Sequence, residues 1–312
     1  MDYFQQLTSI QTYLYVYGGT FLAVAGSLGC VLNLLIFSKK NLRKSPCSFY
    51  FIAYNLANFL EISTCFSQGI SAFGFNGYLP TYSTTYCRLM YYVGYVLDVL
   101  SPFYLILASI DRSIATSRNA RMRRLSNHRL AYMCILIGTI FWMLFHIHAL
   151  FFFKSIQIMP NYNICYTDSN VYLAFANYYA LSKTVCVPIL MMICEIHTIR
   201  SFRFAHRAAI APVSTVASTV GGAKRQKDGQ LMKILLINVT VYILFNLTPV
   251  TVWIYKQVTQ YENESPDDVQ LDSFLTNVSS LVYYIPPSIS CYINLVVSKT
   301  FRAEIKKLFL CK

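Results

Sequence analysis

The sequence predicts an all-α membrane protein, a seven-transmembrane helix bundle with a short cytosolic amphipathic helix after the seventh span. Three observations predict it. Seven apolar runs are each long enough to cross ~30 Å of hydrocarbon, which takes about 20 helical residues. Only 12% of the 312 residues are charged and 55% are hydrophobic, whereas soluble proteins carry about 25% charged residues. The basic residues, which give a net charge of +13, collect between the runs and on one side. That pattern excludes the nucleic-acid reading and fits cytosol and anionic lipid.

The runs lie near Tyr13–Phe37, Phe49–Ser71, Arg88–Ile110, Leu130–Phe153, Val171–Ile199, Leu231–Tyr255 and Leu271–Val297. Each is longer than a barrel strand and none alternates, so each is read as a helix. Residues 1–12 form an extracellular amino-terminal segment, 13–297 the bundle, and 298–312 the amphipathic helix and tail. Of the 26 Lys and Arg residues, 22 fall on one side, including Lys39, Lys40, Arg43 and Lys44 after the first run and Arg112, Arg118, Arg121, Arg123, Arg124 and Arg129 after the third. The other side carries Asp2, Asp168, Glu262, Glu264, Asp267, Asp268 and Asp272. The positive-inside rule therefore puts the amino terminus outside and the carboxyl terminus in the cytosol. No cleavable signal is apparent, so the first run is expected to serve as its own insertion signal.

The connection between runs five and six contains a small-residue stretch, residues 211–222, with no helical pattern, and is read as mobile. The absence of an internal repeat weighs against a transporter built from duplicated halves. After run seven, Phe301, Ile305, Leu308 and Phe309 share a face opposite Arg302, Lys306 and Lys307, as in a helix lying on the inner leaflet. Cys311 at its end is a palmitoylation candidate or an unmodified tail cysteine. Of ten cysteines only Cys87 and Cys165 fall on the outside, where one disulfide is the natural reading and two free thiols the alternative.

Two charged features of run three stand out. Asp98 sits mid-run, where an intramembrane carboxylate costs ~2.5–3.5 kcal/mol and is seldom idle. Asp111-Arg112 ends the run at the basic loop. An acid–base pair there can act as a bistable element, closed at rest and releasing the arginine toward a cytosolic partner; the bland alternative is a positive-inside anchor.

Further residues recur at familiar spacings. Asn33 lies in run one, Pro46 precedes Asn58 by twelve residues, and Cys87 precedes Arg112 by twenty-five. Trp142, Pro188, Pro249 and Phe301 mark runs four, five and six and the tail helix. Together these resemble a rhodopsin-like G-protein-coupled receptor, over nearly the whole chain. The resemblance implies a Cys87–Cys165 bridge holding the second outside loop over a ligand cavity. It also implies an activation switch and G-protein coupling region at Asp111, Arg112, Pro249 and Asn294, and a polar core of Asn33, Asn58, Ser101 and Glu61. The departures are marked. Asn58 stands where aspartate is usual, which puts the family's sodium pocket in doubt, with Glu61 one turn on as a substitute charge. Asp111-Arg112-Ser113 lacks the tyrosine of the DRY motif. Asn246-Leu247-Thr248-Pro249 replaces CWxP, and Ser290-Cys291-Tyr292-Ile293-Asn294 occupies the NPxxY position, with Pro286-Pro287 able to supply the kink.

The expected ligand pocket takes in Asp98, Lys183, Tyr95, Gly94, Tyr284 and Leu247. Asp98 and Lys183 either neutralise one another or meet a ligand's charged group. Gly94 fills the place of the amine receptors' aspartate, which argues against a biogenic amine. Tyr284 fills that of the opsins' retinal lysine, which argues against a photoreceptor. Tyr91, Tyr92, Tyr95, Tyr178, Tyr179, Tyr283 and Tyr284 form either an interfacial belt or a cavity lining. His146 and His148 are read as packing residues, with no metal site or cofactor expected. The acidic cluster Glu262–Asp272 is a solvated loop or a steering surface for a basic peptide. Of the sequons, Asn263 precedes Ser265-Pro266 and Asn277 lies close to the bilayer.

The leading reading is a plasma-membrane receptor passing the signal of an extracellular ligand, a neuropeptide among the candidates, to a heterotrimeric G protein. A silent or scavenging receptor of the same fold is the alternative. A transporter or channel lacks repeated ionisable pairs, and an enzyme lacks a catalytic cluster.

Overall fold

The computed structural model describes residues 2–40, 42–75, 83–117, 119–159, 162–210, 219–259 and 265–309. The chain is helical almost throughout, since every apolar run must satisfy its backbone hydrogen bonds within itself. Helix α1 (Asp2–Tyr13) passes through a π-helical stretch, Leu14–Gly19, into α2 (Thr20–Phe37). The amino-terminal segment is thus helical from Asp2 rather than from Tyr13. It packs along the seventh run, where Thr8 Oγ1 and Gln11 Oε1 accept from Gln270 and Asn277.

Helix α3 (Cys47–Glu61) continues through a second π-helical stretch, Ile62–Phe66, into α4 (Ser67–Phe75). Ser67 Oγ donates to the Ile62 carbonyl at 2.8 Å, occupying an oxygen at the π-helical stretch. Helix α5 (Thr84–Ala115) is the central pillar, burying side chains from Cys87 to Arg112. Helix α6 (Ala120–Leu125) is short, and α7 (His128–Phe145) leads through a 3₁₀ turn, His146–His148, into α8 (Ala149–Phe152). That fourth unit buries only Ala131, His146 and Ala149, so it sits at the rim.

Strands β1 (Lys154–Met159) and β2 (Tyr162–Tyr166) pair antiparallel, with Ser155 opposite Cys165. This hairpin lies in the connection that follows α8 and leaves the all-α bundle intact. Lys154 Nζ meets Asp168 at 2.8 Å on its exposed side, and that hydrogen bond holds the Asp168 carboxyl below the usual aspartate range. Helices α9 (Asn170–Ile210), α10 (Thr219–Thr259), α11 (Pro266–Tyr283), α12 (Ile285–Val297) and α13 (Lys299–Phe309) complete the chain. Of the stretch 211–222, residues 219–222 open α10 and 211–218 lie outside the described residues, as do Arg118, Glu262, Asn263, Glu264 and Cys311. The seventh run breaks at Tyr284 because Pro286 and Pro287 lack the N–H groups that would continue the ladder. Asp268 closes a capping box with Ser265 while staying exposed, and Asp272 is buried, so that end of the acidic cluster opens α11.

Six helical units among the described residues are long and apolar enough to cross a membrane. The Cys47–Phe75 unit is not among them. It carries buried Asn55, Asn58 and Glu61 on its inward face, which lower its hydropathy. The core runs between α2, α3, α5, α10 and α12, and Phe301 anchors α13 there, 5.8 Å from the Phe37 ring. Phe21, Val24, Leu28, Leu136, Ile137, Ile140 and Phe141 face outward, a surface suited to hydrocarbon.

Candidate functional site

A cavity of about 800 Å³ opens inside the bundle between α4, α5, α9, α10 and α11. Its mouth lies under the hairpin, where the Cys87–Cys165 disulfide, with a Cα–Cα distance of 5.7 Å, ties β2 to the first turn of α5. Arg88 Nε donates to the Phe153 carbonyl at 3.0 Å, and Tyr91 stacks on Phe153 at 3.8 Å, so that the strap is held at several points. Prolines at 188 and 249 line the cavity where α9 and α10 pass it.

Asp98 sits on the cavity wall. One carboxylate oxygen accepts from Lys183 Nζ and the other from Tyr283 Oη at 2.8 Å. The two charges flagged in sequence thus meet across α5 and α9, and both also line the cavity. Glu61, Gly94, Tyr95, Tyr284, Asn246 and Pro249 line it too. Leu247 does not: it is 54% exposed and points away from the bundle. At 100° per residue, Tyr242, Asn246, Pro249 and Trp253 share the inward face of α10, and the position after Asn246 falls outside it. The tyrosines divide. Tyr91, Tyr95, Tyr283 and Tyr284 line the cavity, and Tyr178 is exposed. Tyr92 Oη donates to the Met143 carbonyl. His146 bonds the Trp142 carbonyl and Tyr179 Oη, and His148 bonds Tyr172 Oη, so both work as packing residues.

Below the cavity lies a row of amides. Ser290 Oγ donates to Asn238, Asn238 to Asn294, Asn294 to Asn33, Asn33 to Asn55, and Asn55 to the Phe51 carbonyl, all between 2.7 and 3.1 Å. It joins α10, α12, α2 and α3. Asn58 and Ser101 form a separate pair at 2.6 Å, and Asn58 Nδ2 has no partner among the described residues. Asn55 and Asn238 were not expected at this site: Asn238 reads in sequence only as a buried sequon. The signal was the asparagine itself, on the inward face of an apolar helix. Asn294→Ala removes Asn238's acceptor and Asn33's donor, and is expected to cost ~1–2 kcal/mol. Thermal unfolding of the purified protein in detergent checks it, and an unchanged midpoint counts against any role in stability.

At the far end of α5, Arg112 donates to Asp111 Oδ2 from two nitrogens at 2.7 and 3.2 Å, and to Ser45 Oγ at 3.2 Å. Ser126 Oγ donates to Asp111 Oδ1 at 2.8 Å. Both residues of the pair are buried. Thr198 of α9 bridges to Ser113 and to the Ser109 carbonyl, binding α9 to α5 beside the pair. Gln230 of α10 accepts from Ser298 Oγ and from the Thr300 backbone N–H, tying α10 to the corner between α12 and α13.

The bundle thus carries a cavity toward one end of α5 and a closed ion pair toward the other. The chain belongs to the 7 transmembrane receptor (rhodopsin family), whose profile matches residues 29–294. Comparison with curated proteins returns no match. It is therefore a multi-pass membrane receptor of the G-protein-coupled type and not an enzyme.

Proposed function

We propose that this receptor binds an extracellular ligand in the cavity beneath the hairpin and passes the signal to a heterotrimeric G protein. The observation that carries the reading is that α5 bears both ends of the device, Asp98 on the cavity wall and the Asp111–Arg112 pair more than three turns away. In this reading the Cys47–Phe75 unit also crosses the membrane, as the second of seven spans. The amino terminus is extracellular, α13 lies on the inner leaflet of the plasma membrane, and 22 of the 26 basic residues face the cytosol. Ligand binding shifts α9 and α10 relative to α5, which breaks the Thr198 and Gln230 ties and frees Arg112 for the incoming G protein. A peptide ligand fits the cavity's size and its tyrosines.

The test compares basal and stimulated G-protein activation in cells for wild type and Arg112→Ala at matched surface expression. The expected result is a wild-type signal that Arg112→Ala reduces about tenfold or more, the loss of ~1.4 kcal/mol or more of coupling. Equal signals from the two, or none from either under a broad ligand set, favour the silent receptor.

A further inference from the structure

We infer that the cavity selects a ligand group carrying a positive charge, an ammonium or guanidinium, which seats on Glu61 at the foot of a narrow shaft between α4 and α5. The inference rests on the cavity being the ligand site. Among the described residues that line it there are two acids, Glu61 and Asp98, and one base, Lys183. Asp98 has both oxygens engaged, by Lys183 and by Tyr283. The single cation is therefore already committed. Glu61 is 3% exposed, and its remaining accessible surface faces the cavity. No described side chain hydrogen-bonds its carboxylate, and Asp98 and Lys183 are the charged groups that act on it. An acid buried in this way is stabilised most by a counter-charge brought in from outside.

The approach to Glu61 is shaped for such a group. Glu61, Cys65, Gln68, Gly69 and Ala72 line the cavity at helical spacing from α3 into α4, and the one long side chain above the acid, Gln68, is turned to Tyr86 and Met90. Across from them on α5 is Gly94, where an added Cβ would lie 3.6 Å from Cys65 Sγ. A larger residue at position 94 would narrow the shaft. Tyr283, Tyr284 and Tyr242 line the same cavity, and aromatic rings attract cations. The glycine that argues against an amine anchored at its own level thus leaves the way open to an acid deeper in the bundle.

The test uses purified receptor in detergent, without G protein, and two probe pairs, matched in shape and differing in charge, at millimolar concentration. One pair is phenethylamine and 2-phenylethanol. The other is an acetylated tyrosyl-arginine amide and its citrulline counterpart. The charged member of at least one pair is expected to raise the unfolding midpoint by about 3 °C when it exceeds its Kd tenfold. Its neutral partner should not, and Glu61→Gln should abolish the shift. Glu61→Asp, which keeps the charge and shortens the reach, should bind about tenfold more weakly and keep the preference for the cation. A response to phenethylamine identifies a small amine as the source of the charge, and a response to the arginine amide a basic peptide side chain. No shift from either cation, an equal shift from a neutral partner, or a shift that survives in Glu61→Gln overturns the inference. Because no G protein is present, such a failure is separate from a failure of coupling, which the Arg112→Ala comparison reads.

Discussion

Asp111→Asn is expected to raise basal G-protein activation several-fold at matched surface expression, and to lower thermal stability at the same time. In the structure Asp111 accepts two hydrogen bonds from Arg112 and one from Ser126, with both members of the pair buried. Removing one partner of a buried ion pair costs ~3–5 kcal/mol, because the other charge is left uncompensated. The guanidinium keeps its charge at any accessible pH, so it can recover that energy only by finding another partner or water. Both lie toward the G-protein side in our reading. If 1–3 kcal/mol of the loss falls on the resting state alone, the active fraction rises about 5- to 150-fold until it saturates. The double variant Asp111→Asn/Arg112→Ala should be silent, since the freed group is then gone. A lowered unfolding midpoint with unchanged basal signal would show that the pair is structural only.

The second large effect is expected from Cys87→Ser. The bridge to Cys165 closes 78 residues of chain, and loss of such a native disulfide typically removes ~2–4 kcal/mol. Here it also frees the hairpin that roofs the cavity, leaving Arg88 and the Tyr91–Phe153 stack to hold it. Surface expression should fall sharply and the unfolding midpoint should drop by several degrees. Cys186→Ser, at an exposed free cysteine, is the control and should stay within about 0.5 kcal/mol of wild type. Equal expression and stability of the two variants would mean that the strap adds nothing to the fold.

What was legible in the sequence depended on the range of the interaction. The helices were legible because a bilayer leaves a long apolar run no other way to satisfy its backbone. The disulfide was legible because only two cysteines fall on one side. For Asp98 and Lys183 the residues leave two readings, a neutralising pair or ligand contacts, because the pairing joins positions 85 residues apart and depends on how α5 and α9 are rotated. Leu247 was misplaced for a related reason: a motif fixes the register along α10 but not which of two adjacent positions faces inward. The hairpin left a weaker trace. Ser155-Ile156-Gln157-Ile158 alternates with period two, yet it lies in a stretch read only as a connection. Asn55 and Asn238 went unread because a lone asparagine in an apolar run announces a partner without saying which.

The row of amides from Ser290 to Phe51 has a sense as well as a path. Each amide donates a hydrogen bond to the next group and accepts one from the group before it, and the row ends on a backbone carbonyl, which can only accept. The row therefore keeps one orientation: no single amide can turn over without setting donor against donor at its neighbour. Asn238 is where the row is easiest to part: its Nδ2 also donates to the Ile234 carbonyl of its own helix, so a displacement of α10 that breaks the bond to Asn294 leaves that donor satisfied.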